Sequence, residues 1–343
     1  MTIDVAVSRA PGDGWQRTVD ASCEARLAHA PQWQRVIANA YAHTPLYLEA
    51  EAADGSRGVL PAFVVRRPLF GTVVTSMPFL DSGGPCSTSA AVDASLVAHL
   101  IAEARRLGAR LVELRCPQRL AIDAEPLSSK VNMTLTLDDP AALWRRFGKG
   151  VRNQIRKAER AGLTVEYDGR DNLPAFYDTF ARRMHDLGSP VHGLPFLRQV
   201  LDAFGPLVRV ALVKKDDAVI GGLVALRFKD RVVVPWASCL KEHFALCPNM
   251  LLYWETIKTA CADGCARFDF GRSTRDSGTY HFKRQWGAEE EPLWWYRIPI
   301  AARTRSEATA GSSRAELLAR LWQRLPLSVT RQIGPPIRRY LIQ

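Results

Sequence analysis

Long apolar runs are missing from this 343-residue chain: stretches such as Val232 to Leu240 fall far short of the roughly 18 residues a membrane-spanning helix requires. A secretory leader is missing too, because Met1 to Trp15 carries Asp4 and Asp13 and has no basic stretch followed by an apolar one. These absences predict a soluble protein that stays on the cytoplasmic side. The seven cysteines are odd in number, scattered and mostly flanked by apolar residues, which excludes a disulfide framework and predicts reduced core thiols. Cys261 and Cys265 stand four apart, but no His or Cys pair lies near them, so no metal site is predicted. The sequence also lacks a Gly-x-x-x-x-Gly-Lys phosphate loop, a His-Glu-x-x-His zinc motif and a Gly-x-Ser-x-Gly nucleophile elbow, and the enzyme classes built on them recede.

What is present describes a folded protein with large cores. Hydrophobic residues make up 47% and charged residues 24%, which leaves no room for extensive disorder. At 343 residues the chain is too long for one compact core, and two domains are expected. Acidic residues are the scarce charge. The formal net charge of +11 predicts a field that attracts anions: nucleic acid, nucleotide-linked substrates or an acidic membrane surface.

One pattern occurs twice. Leu46 to Phe63 reads as a strand, the polar turn Ala53-Asp54-Gly55-Ser56 and a return strand; Val208 to Phe228 repeats it around Lys214-Lys215-Asp216-Asp217, with Gly58 and Gly221 in matching places. A further strand follows each hairpin, Val73 to Phe79 and Arg231 to Ser238, and then a loop and a helix, Ser95 to Leu107 and Met250 to Ala262. Each helix ends near a glycine and feeds a strand with one acid, Arg110 to Leu114 with Glu113 and Arg267 to Phe270 with Asp269. The β-β-β-α-β order, used twice, predicts an α/β (α+β) fold of two related domains, mixed sheets flanked by helices. Boundaries are expected at 1–128 and 129–303, followed by a linker and basic tail over 304–343. In that tail Leu317, Leu318, Leu321 and Leu325 fall at helical spacing among Arg320, Arg324, Arg331, Arg338 and Arg339, as expected of an appendage that docks on the protein body or on an anionic bilayer.

Two stretches concentrate chemistry. Trp144 to Gly162 holds seven basic residues and one acid, and at helical spacing Arg145, Lys149, Arg152, Arg156 and Arg160 share a stripe opposite Val151, Ile155 and Ala158. That stripe reads equally as a solvated face or as a rail for phosphates, with Gly148 and Gly150 placed to interrupt it. The second stretch, Phe268 to Gly287, runs from a strand end through a glycine-rich polar loop into aromatic residues around Lys283, and such loops carry sites.

These two stretches resemble the signature regions of the FemAB (FemX-like) family of peptidoglycan interpeptide-bridge aminoacyltransferases. Ser76-Met77-Pro78-Phe79, Gly83-Gly84-Pro85, Asp186 to Val191, Pro235-Trp236-Ala237-Ser238, Pro248 to Trp254 and Phe268 to Ser273 are similar to the branch of that family associated with exosortase (PEP-CTERM) and exopolysaccharide loci. The resemblance covers roughly Pro31 to Tyr296. It implies two tandem GNAT-like domains and transfer of an aminoacyl or other acyl group to an amine on a cell-envelope or exopolysaccharide precursor. The acyl donor would then be a co-substrate, aminoacyl-tRNA or an acyl thioester on coenzyme A or a carrier protein, with no resident cofactor. The acceptor would be a nucleotide- or lipid-linked sugar or peptide, and peripheral contact with the inner membrane would suit it.

Lys283 matches the lysine that follows a phenylalanine in the family motif, and it is expected near the reacting carbonyl together with Arg272. The Gly-x-Gly/Ala pyrophosphate turn of acetyl-coenzyme A transferases and the helical arm some relatives use on tRNA both lack a counterpart, so the donor stays open. Asp269 and Asp81 are the carboxylates beside motifs that qualify as a base, with His281, His185 and His192 as further candidates. Lys149, Arg152 and Arg156 are expected to bind donor phosphate, Tyr280 and Phe282 to contact substrate, and Trp236 and Asn249 to line the acceptor pocket from loops. A nucleic-acid-binding protein without catalysis is the reading from another class; it accounts for the charge but leaves the second stretch unexplained.

Overall fold

A computed structural model describes residues 2–68, 70–127, 130–300 and 311–342. The Ser/Thr/Ala/Gly stretch expected as a linker falls in 301–310, outside the described residues. The chain divides into two compact units, residues 1–132 with 291–304 and 340–343, and residues 133–290 with 305–339.

The first unit contains β1 (Ile3–Ser8), α1 (Trp15–Ala21), α2 (Trp33–Tyr41), β2 (Thr44–Ala52), β3 (Arg57–Arg67), β4 (Gly71–Thr75), β5 (Cys86–Ser87), α3 (Ala90–Arg106) and β6 (Leu111–Cys116). From there the chain runs through β7 (Lys130–Thr136), α4 (Pro140–Arg146), α5 (Lys149–Arg160), β8 (Leu163–Asp168), α6 (Leu173–Asp186), α7 (Leu194–Phe204), β9 (Val208–Lys215), β10 (Ala218–Phe228) and β11 (Arg231–Cys239). It closes with α8 (Pro248–Ala262), β12 (Arg267–Thr274), α9 (Gly278–Arg284), β13 (Glu289–Pro292), β14 (Trp294–Pro299), α10 (Gly311–Arg324) and α11 (Leu327–Arg338).

Each repeat folds in the predicted order, β2-β3-β4-α3-β6 and β9-β10-β11-α8-β12. The first sheet has the order β1-β2-β3-β4-β6-β14, with β5 on β3, and the second β13-β7-β12-β11-β10-β9-β8. The apolar faces of β2, β3 and β6 close over Val92, Leu96, Val97 and Leu100 of α3 to form one continuous core. In the second unit Val210, Leu223, Leu226 and Phe268 are buried with Ile257 of α8 and Phe176 of α6. At Gly221 the backbone runs so close to the neighbouring strand that a Cβ would meet Cys239 Sγ at 2.4 Å, so no larger residue fits that crossing.

Three expectations shift. Residues 291–300, expected in the second domain, join the first unit, because β14 pairs antiparallel with β6 from Trp294↔Cys116 to Pro299↔Leu111 and caps that sheet's edge. The strand expected to reach Phe79 stops at Thr75; Met77 and Phe79 take left-handed conformations (φ 58° and 72°), which end extended pairing. The basic stripe is two helices rather than one, since Phe147 and Gly148 are extended between α4 and α5 and detach Arg145 from the face that begins at Lys149. The tail docks on the protein body, one of the two placements expected of it: Gln323 Nε2 donates to the Asp186 carbonyl at 2.7 Å, and a Cβ at Gly188 would meet Ala319 at 2.7 Å.

Candidate active site

In both units the two parallel strands of the repeat pair for three residues and then separate. In the first unit the register is Val73↔Leu111, Val74↔Val112, Thr75↔Glu113. In the second it is Arg231↔Arg267, Val232↔Phe268, Val233↔Asp269, while β11 continues to Cys239 and β12 to Thr274. Glu113 and Asp269, the matched acids of the sequence, thus hold the same place, the last paired residue before the strands part. A backbone edge that leaves a partner strand exposes main-chain donors and acceptors to a ligand.

Lys283 reaches this place from α9. The residue is only 8% exposed, and its ammonium donates to the Gly271 and Arg272 carbonyls at 2.8 Å each. Ser277 begins the helix by accepting from Tyr280 N–H at 3.3 Å, which aims the following turn back along β12. Asp269 is buried with both oxygens engaged: Oδ1 accepts from Gly271 N–H at 2.7 Å, and Oδ2 lies 3.6 Å from the equally buried Arg231 guanidinium. A carboxylate held this way shapes the Asp269–Gly271 turn, in which Gly271 takes φ 76°. Arg272 lies half-buried on β12, inside the strand rather than on the loop expected from Gly271 onward.

The other predicted residues of α9 neighbour Lys283 in sequence and are held by different partners. The Tyr280 hydroxyl donates to Glu290 and accepts from Arg284 at 3.2 Å, and the Glu290 bond holds the phenol above its usual range. Phe282 packs edge-on against Tyr253 (5.4 Å) and Trp286 (6.4 Å). Burial pushes the Tyr253 phenol and the Cys239 thiol up, so both stay protonated and neither supplies a base. His281 is exposed on α9.

The remaining predictions scatter within the second unit. Trp236 is not on a loop: it is buried in β11 against Phe196 (5.6 Å) and His192 (6.1 Å). Asn249 is the second residue of α8, half-buried, at the end of the segment that leaves β11. Lys149 and Arg156 are exposed on α5 and Arg152 is half-buried, while Val151, Ile155 and Ala158 face inward and the helix packs on α8. Arg156 lies over the Trp144 ring at 5.3 Å. Asp81 and His185 are outside this cluster; His185 bonds the Leu325 carbonyl at 2.8 Å, and Asp81 lies in the first unit.

Sequence reasoning passed over four residues. Ser238 Oγ on β11 and Ser273 Oγ on β12 are buried without a hydrogen-bond partner among the described residues, both beyond the point where the strands part. An orphaned buried hydroxyl costs about 1–3 kcal/mol unless something else satisfies it. Both serines stand in the quoted motifs, so their signal was visible without a role. Arg231 and Glu290 gave no such signal, since their partners lie 38 and 10 residues away. A cleft of about 230 Å³ elsewhere in the unit, edged by Tyr167, Arg209, Thr256 and Asp263, contains none of the predicted residues.

Residues 145–284 match the family model described as Acetyltransferase (GNAT) domain, a span that runs from the basic helices to α9 and includes Lys283. No curated protein sequence matches the chain. Among solved structures the chain is similar to FemX, at 13% identity and a TM-score of 0.64 over 85% of this chain and 97% of that one. It is also similar to a tandem GNAT protein from the clavulanic acid biosynthesis pathway, at 12% identity and a TM-score of 0.56 over 88% of this chain and 100% of that one. A conserved protein of unknown function from Bacteroides thetaiotaomicron VPI-5482 gives 8% identity and a TM-score of 0.58 over 87% of this chain and 100% of that one. At such identities the likeness establishes the fold: a mixed α/β GNAT fold with tandem-GNAT neighbours.

Proposed function

We propose that this chain forms an amide by transferring an aminoacyl or acyl group to an amine on a cell-envelope or exopolysaccharide precursor, as a FemX-like enzyme of the exosortase-associated branch. The observation that carries the reading is the parting of β11 from β12 beyond Val233↔Asp269, with the buried Lys283 ammonium on the Gly271 and Arg272 carbonyls just past that point. The amine nitrogen attacks the acyl carbonyl, the carbon–oxygen or carbon–sulfur bond to the donor breaks, and the amine's proton ends on the departing ribose oxygen or thiol. Charge builds on the carbonyl oxygen in between. Lys283, with Arg272 on the adjoining strand, supplies the positive charge that stabilises it, an effect of about 3 kcal/mol for one well-placed donor. Asp269 acts as a positioning residue that keeps Gly271 in its turn, and no side chain is assigned as base.

Lys149, Arg152 and Arg156 hold donor phosphate on α5, while Tyr280 and Phe282 border the acyl group. Trp236 and Asn249 shape the acceptor side, the one from within β11 and the other from the start of α8. Aminoacyl-tRNA is the donor favoured by the FemX-like motifs. The match of residues 145–284 to an acetyltransferase domain favours a second reading, an acyl thioester of coenzyme A or a carrier protein.

Purified protein supplied with charged tRNA, acyl-coenzyme A or acylated carrier, together with an extract of nucleotide- and lipid-linked precursors, is expected to add one acyl mass to an amine-bearing precursor. Mass spectrometry identifies which donor is consumed. Loss of product in Lys283→Met with retained cooperative unfolding supports the reading. Undiminished product in that variant overturns the role of Lys283, and no product with any donor overturns the proposal.

A further inference from the structure

The tail helices bury one side and leave an apolar side uncovered. On α10, Ala319 seats against Gly188, and the Trp322 ring lies where a Cβ added at Gly334 of α11 would meet it at 3.6 Å. Gln323 and the Leu325 carbonyl bond to Asp186 and His185 of α6. On α11, Arg331 pairs with Asp178, and Arg338 Nε donates to His192 at 3.1 Å. These bonds fix both helices in rotation about their axes.

The same rotation turns the leucines outward. Leu317, Leu318 and Leu321 are 58%, 65% and 49% exposed, and Leu325, Val329, Ile333 and Ile337 are exposed as well. At about 100° per residue, Leu317, Leu318 and Leu321 fall within roughly 100° of arc on α10, Leu325 follows just past its end, and Val329, Ile333 and Ile337 line up four apart on α11. Arg320 and Arg324, both exposed, border the α10 stripe on the flank away from Ala319 and Trp322. Glu316 is the single acid on the two helices. A run of exposed leucine and isoleucine in a water-facing protein marks an interaction surface, and its arginine border with almost no acid selects an apolar partner with negative charge at its edge. An anionic lipid bilayer has that chemistry; a second copy of this chain, with its own arginines and net charge of +11, does not.

We infer that the outward face of α10 and α11 is a docking surface for an anionic membrane. The leucines sink into the boundary between headgroups and acyl chains, and Arg320 and Arg324 meet lipid phosphates. Placing an enzyme's body at the bilayer favours an acceptor carried on a lipid, but the docking stands without any assignment of activity.

The test uses the full chain with vesicles of phosphatidylcholine alone or with one-third phosphatidylglycerol, followed by sedimentation. Wild type is expected to sediment with the anionic vesicles at least about tenfold more than with the neutral ones, and added salt weakens this. Leu318→Glu with Leu321→Glu is expected to abolish binding, while Arg320→Gln with Arg324→Gln weakens it about tenfold or more. All four positions are exposed, so unfolding midpoints within a few degrees of wild type confirm that the variants fold. Equal sedimentation of wild type and the Leu318→Glu, Leu321→Glu variant, or no sedimentation of either, overturns the inference. So does a wild-type dimer in light scattering that this variant converts to monomer. Acyl transfer to a water-soluble acceptor is read in parallel, so failure of docking and failure of the proposed activity are separable.

Discussion

Two copies of one ladder end in different ways. In the first unit β6 places Arg115 two residues past Glu113, where the second unit has Gly271 two residues past Asp269. Arg115 is 1% exposed; its guanidinium bonds Glu113 at 2.7 Å, the Leu80 carbonyl at 2.7 Å and the Ile342 carbonyl, and lies 4.6 Å from the Trp295 ring. Loop groups complete the closure, with Gly83 and Gly84 N–H donating to the Arg115 carbonyl and Arg115 N–H to Ser76 Oγ. In the second unit the matching position has no side chain, its carbonyl is held by Lys283, and on the two parted strands the Ser238 and Ser273 hydroxyls have no partner among the described residues. Where the strands part, each copy has a buried hydroxyl without a partner among the described residues, Thr75 Oγ1 in the first, so what separates them is the bonded Arg115 side chain of the first copy against the bare Gly271 of the second. This difference supports the proposed reading, in which the second copy carries the chemistry.

The largest effect expected is on stability, in the first unit. Arg115→Met strips the buried Glu113 carboxylate of its buried partner, leaving it only Arg297 at 3.4 Å, and should cost about 3 kcal/mol in unfolding free energy. The specific activity of the protein that remains folded should hold, checked by denaturant melts beside initial rates. If the rate falls as far as the stability, the first unit is not merely structural. Next comes Lys283→Met, expected to lower the transfer rate roughly 10²- to 10³-fold. Because its ammonium also ties two carbonyls, stability should fall with it, by about 1–3 kcal/mol. An unperturbed fold, the simplest expectation for a site lysine, does not suit a side chain buried this way. Lys283→Arg should recover stability better than rate, because a planar guanidinium cannot reproduce the compact charge.

A third effect separates the units by pH. His192, buried against Phe196 and bonded by Arg338, is held well below its usual value of 6.5 by burial and then by the arginine's charge. The unfolded chain therefore takes up a proton that the folded chain refuses, and stability present above pH 6.5 is lost as pH falls through that value, by up to about 1.4 kcal/mol per pH unit. His192→Phe should flatten that slope in melts between pH 7 and 5. The smallest effect belongs to the basic helix: Arg156→Ala should raise the donor KM roughly two- to fivefold and reduce its salt dependence, leaving kcat alone. A fall in kcat instead would move that arginine into the reaction.

Much of the fold was legible from local chemistry. The turns at Ala53 to Ser56 and Lys214 to Asp217, the apolar spacing of α3 and α8 and the order of the repeat follow from nearest neighbours in sequence. The site was only half legible. Asp269, Lys283 and Tyr280 drew notice as residue types beside recognisable motifs, but the partners that decide what each can do lie far off in sequence. Arg231 takes up Asp269, and Glu290 takes the Tyr280 hydroxyl. Trp236 was expected on a loop because alternation in Val232 to Cys239 does not announce where a strand stops pairing with one neighbour while it keeps the other.

The amino-acid order alone determined that a β-β-β-α-β unit occurs twice, that matched acids sit in the last strand of each, and that basic side chains share one face of a helix. These are consequences of short-range periodicity and turn chemistry. Only the tertiary structure decided that β14 leaves the second repeat to finish the first sheet, that Arg115 closes one strand opening while Gly271 leaves the other open, and that the tail's leucines face outward. Each depends on which distant groups meet, because a buried charge or hydroxyl is satisfied by whatever the fold brings within hydrogen-bond reach.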